Sequence, residues 1–332
     1  MTGGVWGATI AILLAALPAL LAYGVPLTRW ATRLRGREAG IYFDDPTALR
    51  VGASVDTVLL DRWGTVTTGQ LRVTTVEPLE PDHDRNLRWF AGALGHESED
   101  PVGQAIARLA ARGKVSGIEQ HDGAGISGSV DRHPVRVGAP GWLGMAERDD
   151  VGVTVGVQVD SRPIGYITVA DDVRPDAAAA VERLRSDGVD PVLVSEDTDR
   201  NTGHLAELCG IEHWHAGSLA AQRPGLVADY RGRGRVVAVA SGSAETSADL
   251  ALSDAETVSS GIRLRDLDVT RVARALALTR RAARRVVATR RVGLVLGAVG
   301  VVLAAVGVLT PVLAAAYAVV GCAVVTVVAV RP

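Results

Sequence analysis

Residues 55–71 read V-D-T-V-L-L-D-R-W-G-T-V-T-T-G-Q-L, and the fold turns on their interpretation. The run 55–60 is apolar and rich in β-branched side chains, which predicts a buried strand. It delivers Asp61 to a turn made of Gly64, Thr65 and two further threonines. A carboxylate at the carboxyl end of a buried parallel strand is where open α/β sheets put their chemistry. The same residues also fit a surface aspartate that simply ends a strand, because short motifs recur by chance.

Working outward, residues 164–169, 190–195 and 235–240 repeat the apolar strand pattern, and 254–258 suggest a last short strand. Helical patterns alternate with them: D-D-V-R-P at Asp171 to Pro175 opens one, and 202–209 carry another. Strands alternating with helices imply right-handed βαβ units and a parallel sheet. The sheet begins at Val55 and resumes near Ile164, so 28–72 and 160–267 are expected as one α/β domain with 73–159 inserted as an α+β domain. Inside the insert, helices are expected over 86–96 and 102–112, with Ser98 or Asp100 capping the second. The glycine-rich D-G-A-G-I-S-G-S-V at Asp122 to Val130 fits two strands joined through a glycine corner. As a phosphate loop it is a weak signal, since no strand-loop-helix context follows.

The two ends of the chain are apolar. Residues 3–27 carry no charge and exceed the ~20 residues needed to cross a bilayer. No basic region precedes them, and Arg29, Arg33, Arg35 and Arg37 follow, which reads as a retained span with the amino terminus outside. Residues 268–291 read as a basic helix holding Arg280, Arg281, Arg284, Arg285, Arg290 and Arg291. Apolar spans 292–309 and 311–330 come next, divided by Thr310 and Pro311 and closed by Arg331. Three transmembrane helices and a largely cytoplasmic chain in the plasma membrane are therefore expected. A nucleic-acid patch is the other reading of the arginine run, but its place beside a span favours topology, and the net charge of −2 offers no basic footprint. Lys114 is the only lysine, so no catalytic lysine exists elsewhere. Cys209 and Cys322, far apart, give neither a disulfide framework nor a metal cluster.

The succession of span, strand ending in Asp-x-x-Gly-Thr, insert, resumed α/β domain and terminal hairpin resembles the carboxyl-terminal half of a heavy-metal-transporting P-type ATPase. The resemblance implies a haloacid-dehalogenase-like parallel sheet. It puts Asp61 at the phosphorylated aspartate, with Asp61-Arg62-Trp63-Gly64-Thr65 standing where the family has Asp-Lys-Thr-Gly-Thr. It matches Asp171 to Pro175 to the family's Asp-x-x-Arg/Lys-Pro segment, and it places Gly123 and Gly125 near ATP. Several positions depart from the pattern. Asp100 replaces the histidine of Ser-Glu-His-Pro that sits against adenine. Ser195-Glu196-Asp197-Thr198 replaces Thr-Gly-Asp-Asn and keeps a hydroxyl at Ser195. The hinge Gly-Asp-Gly-x-Asn-Asp has become Ser241-Gly242-Ser243-Ala244-Glu245-Thr246, which leaves Glu245 as a displaced magnesium candidate. Arg223 stands in for a phosphate-contacting lysine, and Leu17-Pro18-Ala19 for the Cys-Pro-Cys of the metal path.

Phosphoryl transfer rests on positioning and on charge stabilisation by Mg²⁺. The departures therefore lead to the expectation of a degenerate, inactive pump-like protein serving as a regulatory or assembly module. It would need no cofactor, with Mg²⁺ and ATP as the cofactors of any remaining activity. Its expected partners are the membrane and another membrane protein or a P-type ATPase, and no nucleic acid. Two readings stay open beside it: a Mg²⁺-dependent phosphatase using Asp61 as nucleophile, and a divergent ATP-hydrolysing cation pump or its split half.

Overall fold

The computed structural model describes residues 22–45, 47–121, 123–148, 150–218, 220–242, 247–255 and 261–331. In chain order the first elements are α1 (Gly24–Glu38), β1 (Ile41–Tyr42), α2 (Ala48–Ser54), β2 (Thr57–Asp61), β3 (Thr67–Pro78), α3 (Asp84–Gly95) and α4 (Pro101–Ala107). The strands β4 (Val115–His121), β5 (Gly125–Val130), β6 (His133–Gly138), β7 (Val153–Val159) and β8 (Arg162–Val173) follow. Then come α5 (Ala177–Ser186), β9 (Asp190–Val194), α6 (Asp199–Cys209), β10 (His213–His215) and α7 (Arg223–Gly232). The chain closes with β11 (Val237–Ala240), β12 (Leu250–Ser253), β13 (Gly261–Leu264), α8 (Val269–Ala305) and α9 (Pro311–Val330). These elements fall into two compact units, one of Met1–Asp61, Ala179–Val192 and Ala220–Pro332, the other of Arg62–Ala178 and Leu193–Leu219.

In the first unit, strands run in the order β1-β13-β12-β11-β2, with only the edge strand β1 antiparallel. Central parallel strands are covered on both faces, so they read as unbroken apolar runs. Val58, Leu59, Leu60, Val237, Ala238, Val239 and Ala240 are all buried accordingly. Leu60 lies opposite Ala240 in the β2–β11 register, so both strands end at one level. That register sets Asp61 beside Ser241.

Asp268 caps α8, its carboxylate accepting the Arg271 N–H at 2.6 Å. The first turns bury Val269, Val272, Ala273 and Leu276 in the core, and Thr279 closes on Gly52 of α2, where a Cβ would come within 2.8 Å of its methyl group. α8 and α9 are each long and apolar enough to cross a bilayer. Pro311 in its first turn and the Thr310 hydroxyl, which accepts the Leu313 N–H, start α9. The Tyr317 hydroxyl donates to the Leu296 carbonyl at 2.6 Å and ties the two helices together.

Two expectations change here. The basic helix 268–291 and the span 292–309 are one continuous helix, α8, because nothing between Arg291 and Val292 breaks it, and it stops at Ala305. Three spans were expected, and the described residues hold two. Most of the third, 3–27, together with Leu17-Pro18-Ala19, lies outside the described residues; from Gly24 onward the chain forms α1, which runs on through the arginines to Glu38.

The second unit is a six-stranded antiparallel sheet in the order β3-β8-β7-β6-β5-β4. Helices α3 and α4 supply Leu87, Leu94 and Ile106 to a core completed by Val130, Val157, Ile167 and Val169. The sequence reading placed the strand at 164–169 in the parallel sheet. It is instead the middle of β8, antiparallel to both β3 and β7. Its neighbours bury it as fully as a parallel strand, and apolar runs do not report strand direction. The D-D-V-R-P segment does not open a helix; Asp171 to Val173 end β8, and α5 starts at Ala177. The last short strand expected at 254–258 is displaced: β12 stops at Ser253, β13 begins at Gly261, and 256–260 lie outside the described residues.

Candidate functional site

Asp61 ends β2 and Ser241 follows β11, while Arg223 opens α7. All three side chains meet. Arg223 Nη2 donates to Asp61 Oδ2 at 2.7 Å, Arg223 Nη1 donates to Ser241 Oγ at 2.6 Å, and Ser241 Oγ donates to Asp61 Oδ2 at 3.3 Å. The Arg223 side chain is 7% exposed and that of Asp61 18%. A charge-assisted pair of this length, largely withdrawn from water, holds the carboxylate in place and lowers the electron density its oxygen could offer to an electrophile.

The loop after Asp61 belongs to the second unit. Gly64 takes a left-handed conformation (φ +73°), and Arg174 clamps the loop from the end of β8. Arg174 donates to the Gly64 carbonyl at 2.8 Å and the Thr67 carbonyl at 3.0 Å. Asp171 caps the next turn, accepting from the Thr68 hydroxyl at 3.0 Å and the Gln70 N–H at 3.1 Å. The D-D-V-R-P motif thus fixes the backbone of the loop that follows Asp61. Thr65 is fully buried, and its hydroxyl has no hydrogen-bond partner.

Arg62 pairs with Asp197 and lies 5.0 Å from the Trp63 ring centroid. Burial works to raise the Asp197 pKa, but hydrogen bonds from the Thr198 N–H and Asn201, together with the Arg62 charge, outweigh it and hold the carboxyl below its usual value. Ser195 is buried, its Oγ accepting the Asp197 N–H at 3.1 Å. The hydroxyl is therefore engaged within its own turn.

The expected nucleotide residues do come together. Asp100, Gly123 and Gly125 line one cavity of about 470 Å³ with Glu99, His121 and Glu147, a size that suits a small ligand. Asp100 already has a structural task, accepting the Val102 N–H at 2.6 Å as the cap of α4. Gly125 (φ +150°) permits the close β5–β6 approach, since a Cβ there would sit 2.3 Å from the Val137 carbonyl oxygen. His121 went unread in the sequence. It hydrogen-bonds Ser127 Oγ at 2.9 Å and stands 4.8 Å from the Trp142 ring, so an imidazole reaches this cavity from the strand before the glycine corner.

The Arg223 guanidinium, bonded to Asp61 Oδ2, puts a positive charge where a magnesium ion would have to share the carboxylate. The two acids of the hinge pattern fall on Gly242 and Thr246 in this sequence. Among the described residues no group of three or more carboxylate, histidine or cysteine side chains could hold a metal ion. Glu245 lies outside the described residues. Cys209 is no nucleophile either, because burial pushes its thiol up to about 11.

A strand-end aspartate on a parallel sheet with a large inserted unit defines a haloacid-dehalogenase-like architecture. That family matches residues 55–234, and the chain belongs to the haloacid dehalogenase-like hydrolases. Its curated relatives are heavy-metal P-type ATPases. It is 31% identical over 245 residues to a copper-exporting P-type ATPase of Mycobacterium tuberculosis, covering 70% of this chain and 32% of that protein. It is 30% identical over 263 residues to a copper-exporting P-type ATPase of Bacillus subtilis, covering 74% of this chain and 33% of that one. A crystal structure of a zinc-transporting PIB-type ATPase shares the fold with a TM-score of 0.81 at 22% identity, over 95% of this chain and 56% of that chain. The chain spans about a third of the length of the curated relatives it matches, in keeping with a carboxyl-terminal half.

Proposed function

We propose that this chain is a membrane-anchored, catalytically silent relative of the heavy-metal P-type ATPases that keeps their fold as a regulatory or assembly module for another membrane protein. The Arg223–Asp61 contact of 2.7 Å carries this reading. A nucleophilic carboxylate has to approach a polyanionic phosphate with metal ions neutralising the charge. Here a fixed guanidinium and the Ser241 hydroxyl both hold one oxygen of the carboxylate, Oδ2, and the two acids of the hinge pattern are replaced by Gly242 and Thr246. The paired helices support it from the membrane side. The Tyr317 hydroxyl bonds the Leu296 carbonyl across the hairpin, and the Thr326 hydroxyl bonds the Cys322 carbonyl at 2.8 Å within its own helix, so both polar groups are engaged in helix structure and favour an anchor over a cation path.

The anchor is α8 with α9, and the remainder of the described chain lies on the cytoplasmic side. Purified full-length protein should hydrolyse neither ATP nor aryl phosphates above the background of Asp61→Asn, with or without Mg²⁺. Mg²⁺-dependent turnover that vanishes in Asp61→Asn would establish the phosphatase reading instead. Resistance of the membrane-bound protein to alkaline carbonate extraction tests the anchor separately.

A further inference from the structure

We propose that Arg35, Arg281 and Arg285 form a binding site for the phosphodiester headgroup of an anionic phospholipid, where α1, α8 and the carboxyl end of α9 converge; this rests on the membrane-anchored reading above. Arg35 and Arg281 are the charged neighbours of Arg285, so three guanidinium groups from two helices share one locality. Among the described residues, no carboxylate lies within ion-pair distance of any of the three. Arg35 donates through Nη2 to the carbonyl of Val330, the last residue of α9, and its Nη1 is buried without a partner.

Like charges gathered in this way repel, and a buried guanidinium nitrogen left unbonded costs free energy, unless an anion completes the set. The depth is right for a headgroup. The helix α9 has 20 residues from Pro311 to Val330, about 30 Å at 1.5 Å per residue, enough to cross the hydrocarbon. Arg35 bonds the carbonyl of its last residue and so stands where that helix leaves the hydrocarbon. A guanidinium offers two parallel N–H donors to a phosphate, where an ammonium would offer a point charge. Orientation of the hairpin alone requires positive charge on one side of the membrane. It does not require side chains from separate helices to converge, nor a buried unbonded nitrogen on the residue that caps α9. Arg290 and Arg291 lie on the same helix, exposed as Arg281 is but not among the charged neighbours of Arg285, and serve as the comparison.

The test uses the full chain reconstituted into vesicles of phosphatidylcholine alone and of phosphatidylcholine with a third phosphatidylglycerol. Melting temperature and co-purified phosphatidylglycerol are read for wild type, Arg281→Gln/Arg285→Gln and Arg290→Gln/Arg291→Gln. A headgroup bound to the native state should raise the wild-type melting temperature by several degrees in phosphatidylglycerol vesicles. The first double variant should lose that rise and the retained lipid, and the second should keep most of both. Each is referred to its own melting temperature in phosphatidylcholine, so a general loss of stability does not mimic the effect. Equal rises in all three proteins would overturn the site in favour of diffuse surface attraction. An equal rise from inorganic phosphate in phosphatidylcholine vesicles would overturn it in favour of a soluble anion. Failure of the wild type to insert into either vesicle would instead sink the membrane-anchored reading.

Discussion

Arg223 Nη2 and Asp61 Oδ2 stand 2.7 Å apart, with Ser241 Oγ bonded to both partners. The strand-end aspartate is thereby one half of a structural ion pair. The pair also joins α7 to the ends of β2 and β11, so it should contribute to the stability of the first unit.

Removing one partner tests that contribution. Arg223→Gln leaves the Asp61 carboxylate with a single hydroxyl donor, and breaking a largely buried pair should cost roughly 2–4 kcal/mol, toward the lower end because Asp61 keeps some solvent contact. Thermal unfolding of the full chain in detergent should show a melting temperature lower by several degrees. The double variant Asp61→Asn/Arg223→Gln should lose less than the two single losses added together. Additive losses would show that the two side chains do not interact.

Acid should act through Asp197. Its folded pKa lies below the unfolded value, so the stability it contributes is present in full above about pH 4, the ordinary aspartate range. As pH falls through the folded value, that contribution disappears. Melting curves between neutral and acidic pH should therefore show a decline in the wild type that is blunted in Asp197→Asn. An identical acid decline in both proteins would assign the sensitivity to other carboxylates.

The two cavity glycines should respond differently to alanine. Gly125→Ala places a Cβ 2.3 Å from the Val137 oxygen and should cost roughly 2–4 kcal/mol while distorting the cavity wall. Gly123 has φ +68° but open space around it, so Gly123→Ala should cost only about 1 kcal/mol of backbone strain. Chemical or thermal denaturation of the two variants side by side checks the order, and a reversed order would contradict the β5–β6 geometry.

Thr65→Val exchanges a buried hydroxyl without a partner for a methyl group. Stability should lie between unchanged and about 1 kcal/mol higher. A clear loss of stability would mean that the hydroxyl has a partner the structure does not reveal.

Much of this organisation is legible in the sequence because it follows from burial. Val58 to Leu60 and Val236 to Ala240 are unbroken apolar runs, as a strand covered on both faces demands. The glycine corner at Gly123 and Gly125 is equally readable, since positive φ there needs glycine. Two things were not legible. Strand direction escaped at 164–169, because a central antiparallel strand buried on both faces gives the same run as a parallel one. The β3 strand escaped because most of its side chains are polar and partly exposed, and it is held chiefly by backbone pairing to β8. At the site, residue types named Asp61 and Arg223 but not their contact. The Arg223–Asp61 pair spans 162 positions, and only the folded register brings it together.

The most direct test of catalytic silence is acid-quenched labelling of the purified full chain with γ-labelled ATP and Mg²⁺. The account predicts no label above that of Asp61→Asn, because Arg223 and Ser241 tie the carboxylate into a structural ion pair. An acid-stable, hydroxylamine-sensitive label on the wild type that is absent from Asp61→Asn would contradict it.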